Sequence, residues 1–408
     1  MKIRAITYFY SPDIGELASC VSQAGAFLHR AQSAFEAGGY QVQSTRLATT
    51  SFTKWLPEES ENALLLTALD FEAALAEQNI GYLSLGPALP DHPASYRLIP
   101  AVLAETHNIF FSGLLTTPGG GISLPAIQAC GEIIRAAAGL EANGFANLRF
   151  AALANVPPGA PFFPAAYHAG GAPRFSLACE AADLAVEAFS QADTLAAARQ
   201  NLVTSLEKHA GILTPIARGI QKETGIEFGG LDLTPAPFPE LEHSLGTALE
   251  RMGVPKLGQP GSLAAAAILA ATLDQARFPR CGFNGLMLPV LEDALLAQRA
   301  AEGSLSLKDL LLYSSVCGTG LDTVPLPGSA TAQQLSAILL DVAALAQRLN
   351  KPLTARLMPV PGKQAGDPTS FDFAYFANSR VMDLDAAPLT DFLAGVENFD
   401  LQPRRSEI

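Results

Sequence analysis

Short apolar runs alternate with longer amphipathic stretches along this chain, and no other feature of the sequence narrows its fold as much. Ile3 to Tyr8 reads as a strand, and Leu17 to Ala37 as an amphipathic helix stopped by Gly38-Gly39. Tyr40 to Leu47 is β-like, Glu59 to Glu77 helical, and Ile80 to Leu85 β-like again. Ile109 to Leu115 is a further strand candidate, followed by a turn and a helix from Ser123 to about Leu140. Leu148 to Ala154 is apolar enough to be buried on both faces, as parallel sheets require. Strands that alternate with helices imply parallel pairing through crossover helices, an α/β fold.

The second half keeps the pattern with more helix. Asn155 to Pro173 breaks into Pro, Gly and aromatics and reads as a long ordered loop, because linkers are rarely this aromatic. Phe175 to Ala178 and Phe228 to Leu233 read as strands around helical sequence from Leu195 to Thr224. Ala-rich helices are expected at Ser244 to Met252, Ser262 to Ala276 and Met287 to Ala301. Leu310 to Tyr313 is an apolar run read as the end of a strand, with Ser314 to Gly328 as the loop beyond it. A helix from Thr331 to Asn350 and a strand from Thr354 to Met358 complete the pattern.

Bulk properties exclude some classes. Of 408 residues, 49% are apolar and 16% charged, enough core formers for a sizeable interior. A net charge of −13 argues against a nucleic-acid partner, which needs clustered Lys and Arg; the nearest pair is Arg404-Arg405. Met1-Lys2 runs straight into Ile3 to Tyr8, so no secretion signal is expected. The apolar run from Ser262 to Thr272, about eleven residues, is too short for a bilayer, so no membrane partner is expected. The 5 cysteines are scattered, with no CxxC pair and no zinc spacing, as in a reduced, cytoplasmic protein.

One motif occurs twice. Gly230-Leu231-Asp232-Leu233-Thr234-Pro235-Ala236-Pro237 and Gly320 to Pro327 both spell Gly-Leu-Asp-x-x-Pro-x-Pro. A glycine there lets the backbone turn or approach a ligand, and the prolines stiffen the exit so that the acid is held. Asp232 and Asp322 could share a divalent cation or a substrate ammonium, or split acid and base roles; alternatively each caps its own turn. Cys317, ahead of Gly318-Thr319-Gly320, is placed either as a reactive thiol or as a small buried hydrophobe.

His168 lies in the aromatic loop that opens at Asn155, a position that suits a general acid/base, a metal ligand, or a hydrogen-bonded loop residue. Lys363 follows a rigid strand end and could neutralise an anion, or be solvated. Glu292-Asp293 open a helix, with a ligand role for Glu292 as the alternative. Thr116 to Gly121 places glycines before a helix, either an anion cradle or a plain turn.

Several stretches together resemble the DUF711 / UPF0210 family: Ala152 to Gly170, Gly229 to Pro237, Cys317 to Gly328, Met358 to Asp367, and Ile122 to Ile134 with its Gly-Glu-Ile-Ile. The similarity runs over residues 1–385, which implies a single domain there and a C-terminal extension at 386–408. The resemblance implies a pyruvate formate-lyase-like architecture, a large α/β barrel of about ten mostly parallel strands surrounded by helices. In glycyl radical enzymes of that architecture a barrel cysteine passes the radical to substrate, and the resemblance implies Cys317 for that position. Those enzymes carry Arg-Val-x-Gly-Tyr near the C-terminus; here Arg380-Val381-Met382-Asp383-Leu384 has no glycine in it, so any chemistry is expected to be non-radical.

The leading expectation is therefore an enzyme, a non-radical lyase, isomerase or hydrolase, acting on a small polar, anionic metabolite at a barrel mouth. Asp232, Asp322 and His168 would do acid/base or cation-binding work, with Cys317 as nucleophile or lining. Lys363, Asn155, Gly230, Gly320 and Glu292 would contact substrate. The alternative is a metabolite-binding or regulatory protein that catalyses nothing. The Ala-rich helices could also form an oligomer interface, a homodimer being one option.

Overall fold

The computed structural model describes residues 1–117 and 119–403. The first half is built from β1 (Lys2–Tyr10), α1 (Leu17–Ala37), β2 (Thr45–Thr49), α2 (Glu61–Glu77), β3 (Tyr82–Ala88), α3 (Ser95–Glu105), β4 (Ile109–Leu114), β5 (Gly121–Ser123), α4 (Leu124–Ala137) and β6 (Phe150–Ala154). The second half adds β7 (Arg174–Glu180), α5 (Ala182–Gln191), α6 (Leu195–Thr224), β8 (Glu227–Asp232), α7 (Leu245–Arg251), α8 (Ser262–Leu273), α9 (Ala294–Ala301) and α10 (Leu307–Ser314). It ends with β9 (Gly320–Pro327), α11 (Ala332–Leu349), β10 (Leu353–Val360) and β11 (Asn398–Asp400).

Nine strands form one mostly parallel sheet in the order β8-β7-β1-β2-β3-β4-β6-β10-β9. The central five, β1, β2, β3, β4 and β6, run parallel to one another, each pair joined through a helix. At either side the direction reverses: β7 is antiparallel to β1 and β10 antiparallel to β6. Each reversed strand carries a parallel neighbour, β8 on β7 and β9 on β10. The end where the central strands begin is thus the end where the four reversed strands finish.

The two faces of the sheet are covered differently. Large residues such as Ile3, Ile6, Leu47, Leu83, Phe111 and Phe150 pack with the helices in the main core. The opposite face carries small side chains, Ala5, Ala48, Ala151 and Ala178, and is covered by the aromatic loop between β6 and β7. Phe162 packs on Ala5 and Ala178, Ala165 on Ala151, and Ala166 on Phe9 and Ala48. A buried loop must satisfy its backbone. The Thr7 hydroxyl donates to the Pro161 carbonyl at 2.9 Å, His168 N–H to the Thr49 carbonyl at 2.9 Å, and Gly159 N–H to the Tyr167 carbonyl at 2.8 Å.

Three sequence expectations are corrected. Leu310 to Tyr313 belongs to the helix α10: a Ser306/Asp309 capping box starts it and Leu307, Leu310 and Ser314 give it helical spacing. The Gly-Leu-Asp run from Gly320 is accordingly the strand β9 itself and not a loop after one. The helix expected from Met287 begins only at Ala294, because Pro289 bridges to β9 and Asp293 caps the helix. Helices α3, which contains Pro100, and α5 add to the elements expected from sequence. Among the described residues no helix is long and apolar enough to cross a membrane.

Candidate functional site

Two β-bulges aim the central charged side chains. In β1, Ile3 and Ile6 both belong to the helix-covered core, leaving Arg4 and Ala5 together between them. The β1–β7 register slips at this point: Ile3 pairs with Cys179 but Ala5 with Ala178. The extra residue turns Arg4 to the inner face. In β9 the slip lies between Leu321, opposite Ala355, and Val324, opposite Leu357. It leaves Asp322 and Thr323 facing Arg356, with Thr323 at a φ of 39° that β-branched residues rarely adopt.

The same bulge recruits Glu292. Val290 N–H donates to the Asp322 carbonyl at 3.0 Å, and Leu291 N–H to the Thr323 hydroxyl at 3.3 Å. Glu292 is thereby set beside Asp322. Arg356 donates through Nε to Asp322 Oδ1 at 2.6 Å and through Nη2 to Glu292 Oε1 at 2.6 Å. Arg4 Nη2 donates to the other Glu292 oxygen, and Arg4 Nη1 lies 3.7 Å from Glu180. Gln43 donates to that Glu180 oxygen at 2.5 Å. Asp322 Oδ2 accepts from no group among the described residues.

Arg4, Gln43, Glu292, Asp322 and Arg356 line a cavity of about 300 Å³ at the end where the central strands begin. Its walls include Arg46, Tyr82, Asn108, Phe110, Phe163, Phe373 and Tyr375. Arg46 is held differently from Arg4 and Arg356. Its guanidinium sits 5.6 Å from the Tyr82 ring and 5.1 Å from the Phe163 ring, and its Nε donates to the Ser44 hydroxyl at 3.0 Å. Its two terminal nitrogens have no hydrogen-bond partner and no carboxylate partner among the described residues. Burial, then the nearby Arg4 charge, brings its pKa down to about 10, so it stays cationic at neutral pH.

The two carboxylates on Arg356 are pushed apart. Burial raises the pKa of Asp322 against the pull of Arg356, and the Glu292 charge adds to the rise. Burial works the same way on Glu292, but Arg356 and Arg4 together outweigh it and hold that carboxyl below its usual range. Arg356 loses by burial and gains more from Asp322 and Glu292, so its own pKa is raised. One acid inclined to keep its proton beside one held ionised is the arrangement from which acid/base roles are made.

Of the residues singled out from sequence, Asp322 and Glu292 meet here, and the others lie elsewhere. Asp232 is fully buried in a knot of its own: it accepts from Thr234 Oγ1 at 2.6 Å and from the N–H groups of Thr234, Phe283 and Asn284 at 3.1, 2.7 and 3.0 Å. Burial raises its pKa against those bonds. The two glycines of the motif serve the backbone: a Cβ on Gly230 would meet the Arg280 carbonyl carbon at 2.9 Å, and one on Gly320 the Thr354 carbonyl oxygen at 2.3 Å.

His168 is 3% exposed in the inner loop, its pKa lowered by burial while a backbone bond to Gly171 opposes. Cys317 is 2% exposed where β9 begins, its sulfur accepting from Gly320 N–H at 3.4 Å. Asn155 ties the start of the inner loop to α11 through the Ala346 carbonyl and Gln347. Lys363 donates to the Pro368 carbonyl and the Ser370 hydroxyl within its own turn. Asp293 caps α9 and also accepts from Leu245 N–H at 2.6 Å. Gly120 and Gly121 spend their N–H groups on Thr117; Pro118 of that expected cradle, like Arg404-Arg405, lies outside the described residues.

Sequence reasoning missed Arg4, Arg46 and Arg356. The available signal was an arginine inside an otherwise apolar strand candidate, since a charge buried in a parallel sheet must be paired or used. Among the described residues no group of three or more His, Cys, Asp or Glu converges as a cation site.

Fold and site together define an α/β protein with a mostly parallel sheet whose inner face holds an arginine–carboxylate cluster beside an aromatic cavity. The family model described as "Uncharacterised ACR (DUF711)" matches residues 1–378, and the chain belongs to this family, also called UPF0210. It is 37% identical over 255 residues to a UPF0210 protein of Pyrobaculum aerophilum, covering 60% of this chain and 56% of that one. A UPF0210 protein of Halothermothrix orenii is 29% identical over 375 residues, 87% of this chain and 82% of the relative. One from Acetivibrio thermocellus is 31% identical over 283 residues, 67% and 63% respectively. The chain thus spans under two thirds of the Pyrobaculum aerophilum relative it matches.

Proposed function

We propose that the chain is an enzyme acting on a small anionic metabolite in this cavity, with Arg46 receiving the anion and Asp322 moving a proton. The observation that carries the reading is Arg46: a cation held by two aromatic rings and Ser44, without a carboxylate, whose free nitrogens face a cavity. Arg46 is only partly exposed, and a cation partly withdrawn from water without a carboxylate in contact gains from a ligand anion. Asp322 carries a raised pKa and an uncommitted oxygen, while Glu292 stays ionised and holds Arg4 and Arg356 in place.

The same reading takes the sheet as a closed barrel of the pyruvate formate-lyase-like kind. Its support is that both edge strands form parallel bridges to one segment, Leu231 of β8 with Arg280 and Asp322 of β9 with Pro289. The reaction is non-radical, consistent with Cys317 standing away from the cavity lining.

The test is to incubate the protein with a panel of small organic anions and follow each by mass spectrometry. Consumption of one, lost in Asp322→Asn while binding persists, supports the reading. Binding without consumption of any member leaves a metabolite-binding protein. Binding of the anions that is unchanged in Arg46→Met overturns the assignment of the site.

A further inference from the structure

The assignment of Arg46 as the anion receptor narrows the ligand further, and the ligand class inferred from it rests on that reading. We infer that the ligand is a planar-ring monocarboxylate, and not a phosphate ester or an aliphatic acid. Three observations converge on this class: the charge balance of the cavity, the shape of the free donor, and the walls beside it.

Charge comes first. Arg4, Arg46, Arg149 and Arg356 line the cavity, and Arg149 is paired with Glu141. Arg4 and Arg356 share Glu292, with Glu180 against Arg4 and Asp322 against Arg356. Each of these three arginines therefore has a carboxylate in contact, and Arg46 has none among the described residues. Four acids face the four arginines, so the cluster carries one net positive charge when Asp322, inclined by burial to keep its proton, is neutral. One positive charge suits one negative charge. A phosphate monoester brings nearly two, and the buried Glu292 close by would repel the second.

Donor shape agrees. With Nε committed to Ser44, Arg46 offers its two terminal nitrogens, and two coplanar donors match the two oxygens of a carboxylate. A dedicated phosphate site would add backbone N–H groups from a glycine turn or a helix start. The lining near Arg46 consists of side chains on strand starts, Ser44, Tyr82 and Phe110 among them.

The walls supply the rest. Tyr82 and Phe163 both touch Phe110 edge to face, with centroids 5.3 Å apart in each pair, and together they flank the Arg46 guanidinium. Phe145 and Phe373, also on the lining, form another edge-to-face pair at 5.1 Å. A flat ring attached to the carboxylate can stack in this space, where a flexible aliphatic chain would gain contact area but no ring pairing. At about 300 Å³ the cavity is at the small end of ligand sites, the size for one ring and its substituents.

The experiment is a binding titration by calorimetry with four probes: benzoate, cyclohexanecarboxylate, phenyl phosphate and acetate. Benzoate is expected to bind about tenfold more tightly than phenyl phosphate and about fivefold more tightly than cyclohexanecarboxylate, with acetate weakest. Arg46→Met, which keeps the packing between the rings, should weaken benzoate about ten- to a hundredfold. Arg46→Lys, which keeps the charge and loses the fork, should recover only part of that, and thermal melting of both free variants checks that they fold. Phenyl phosphate or cyclohexanecarboxylate binding as well as benzoate, with Arg46 still required, overturns the ligand class and leaves Arg46 as the anion receptor. Binding of no probe at millimolar concentration, or benzoate binding unaffected in both variants, overturns the receptor assignment as well.

Discussion

Arg356 of β10 faces the two-residue bulge of β9 and grips Asp322 through Nε at 2.6 Å, while its outer nitrogen grips Glu292. One side chain thus joins the last two strands of the sheet to the segment that precedes α9. Both carboxylates and the guanidinium are buried, so each depends on the others for solvation.

Arg356→Met should therefore destabilise the protein by about 3–5 kcal/mol, since it leaves two buried acids without their shared cation. Urea unfolding at neutral pH measures it. A loss below about 1 kcal/mol would mean that the acids are solvated in another way.

Asp322 has a definite pH signature. Its folded pKa lies above the ordinary 3.8, so its contribution to stability is fully present below that value and is lost as pH rises through the folded pKa. Asp322→Asn removes this titration. The stability of the native protein minus that of the variant should fall as pH rises from acid to neutral. Parallel stability–pH curves for the two proteins would refute the raised pKa. Glu292 runs the other way: its pKa is depressed, so its contribution is present above the ordinary 4.5 and disappears as pH falls through the folded value.

The two aspartates of the repeated motif should separate cleanly. Asp232→Ala strands the buried N–H groups of Phe283 and Asn284, and should cost about 3 kcal/mol or more in stability. The protein that remains folded should bind benzoate within about twofold of the parent, because Asp232 is not on the cavity wall. A large loss of affinity with stability unchanged would return Asp232 to the site.

Glycine positions with equal backbone demands should differ by their surroundings. Gly320 and Gly171 have φ of 91° and 86°, but a Cβ on Gly320 would stand 2.3 Å from the Thr354 carbonyl oxygen, whereas one on Gly171 meets nothing within 4 Å. Gly171→Ala should cost about 1 kcal/mol and Gly320→Ala about 3 kcal/mol or more, read from thermal melting. Equal costs would mean that β9 shifts to make room.

Thiol accessibility should track burial. Cys130, Cys179 and Cys317 are buried and Cys20 is partly exposed. Cys281 is also partly exposed, but burial pushes its thiol up. Under native conditions an alkylating reagent should modify Cys20 first and Cys317 only on unfolding, as peptide mass mapping would record. Rapid native labelling of Cys317 would restore it as a reactive group.

Sequence alone carried the alternation of elements, the parallel pairing it requires, the family resemblance and the presence of the Gly-Leu-Asp repeat. These are local properties: period, glycine and proline chemistry, and burial on both faces of a strand. Tertiary structure decided what the repeat does. Two identical motifs end in different roles because Asp232 meets only backbone and a hydroxyl, whereas Asp322 meets Arg356 and Glu292. Nor could periodicity reveal the bulges in β1 and β9, since each breaks the two-residue alternation by which strand faces are read. Arg4, Arg46, Asp322, Glu292 and Arg356 converge through strand order and register, and those are set by long-range pairing that no local window contains.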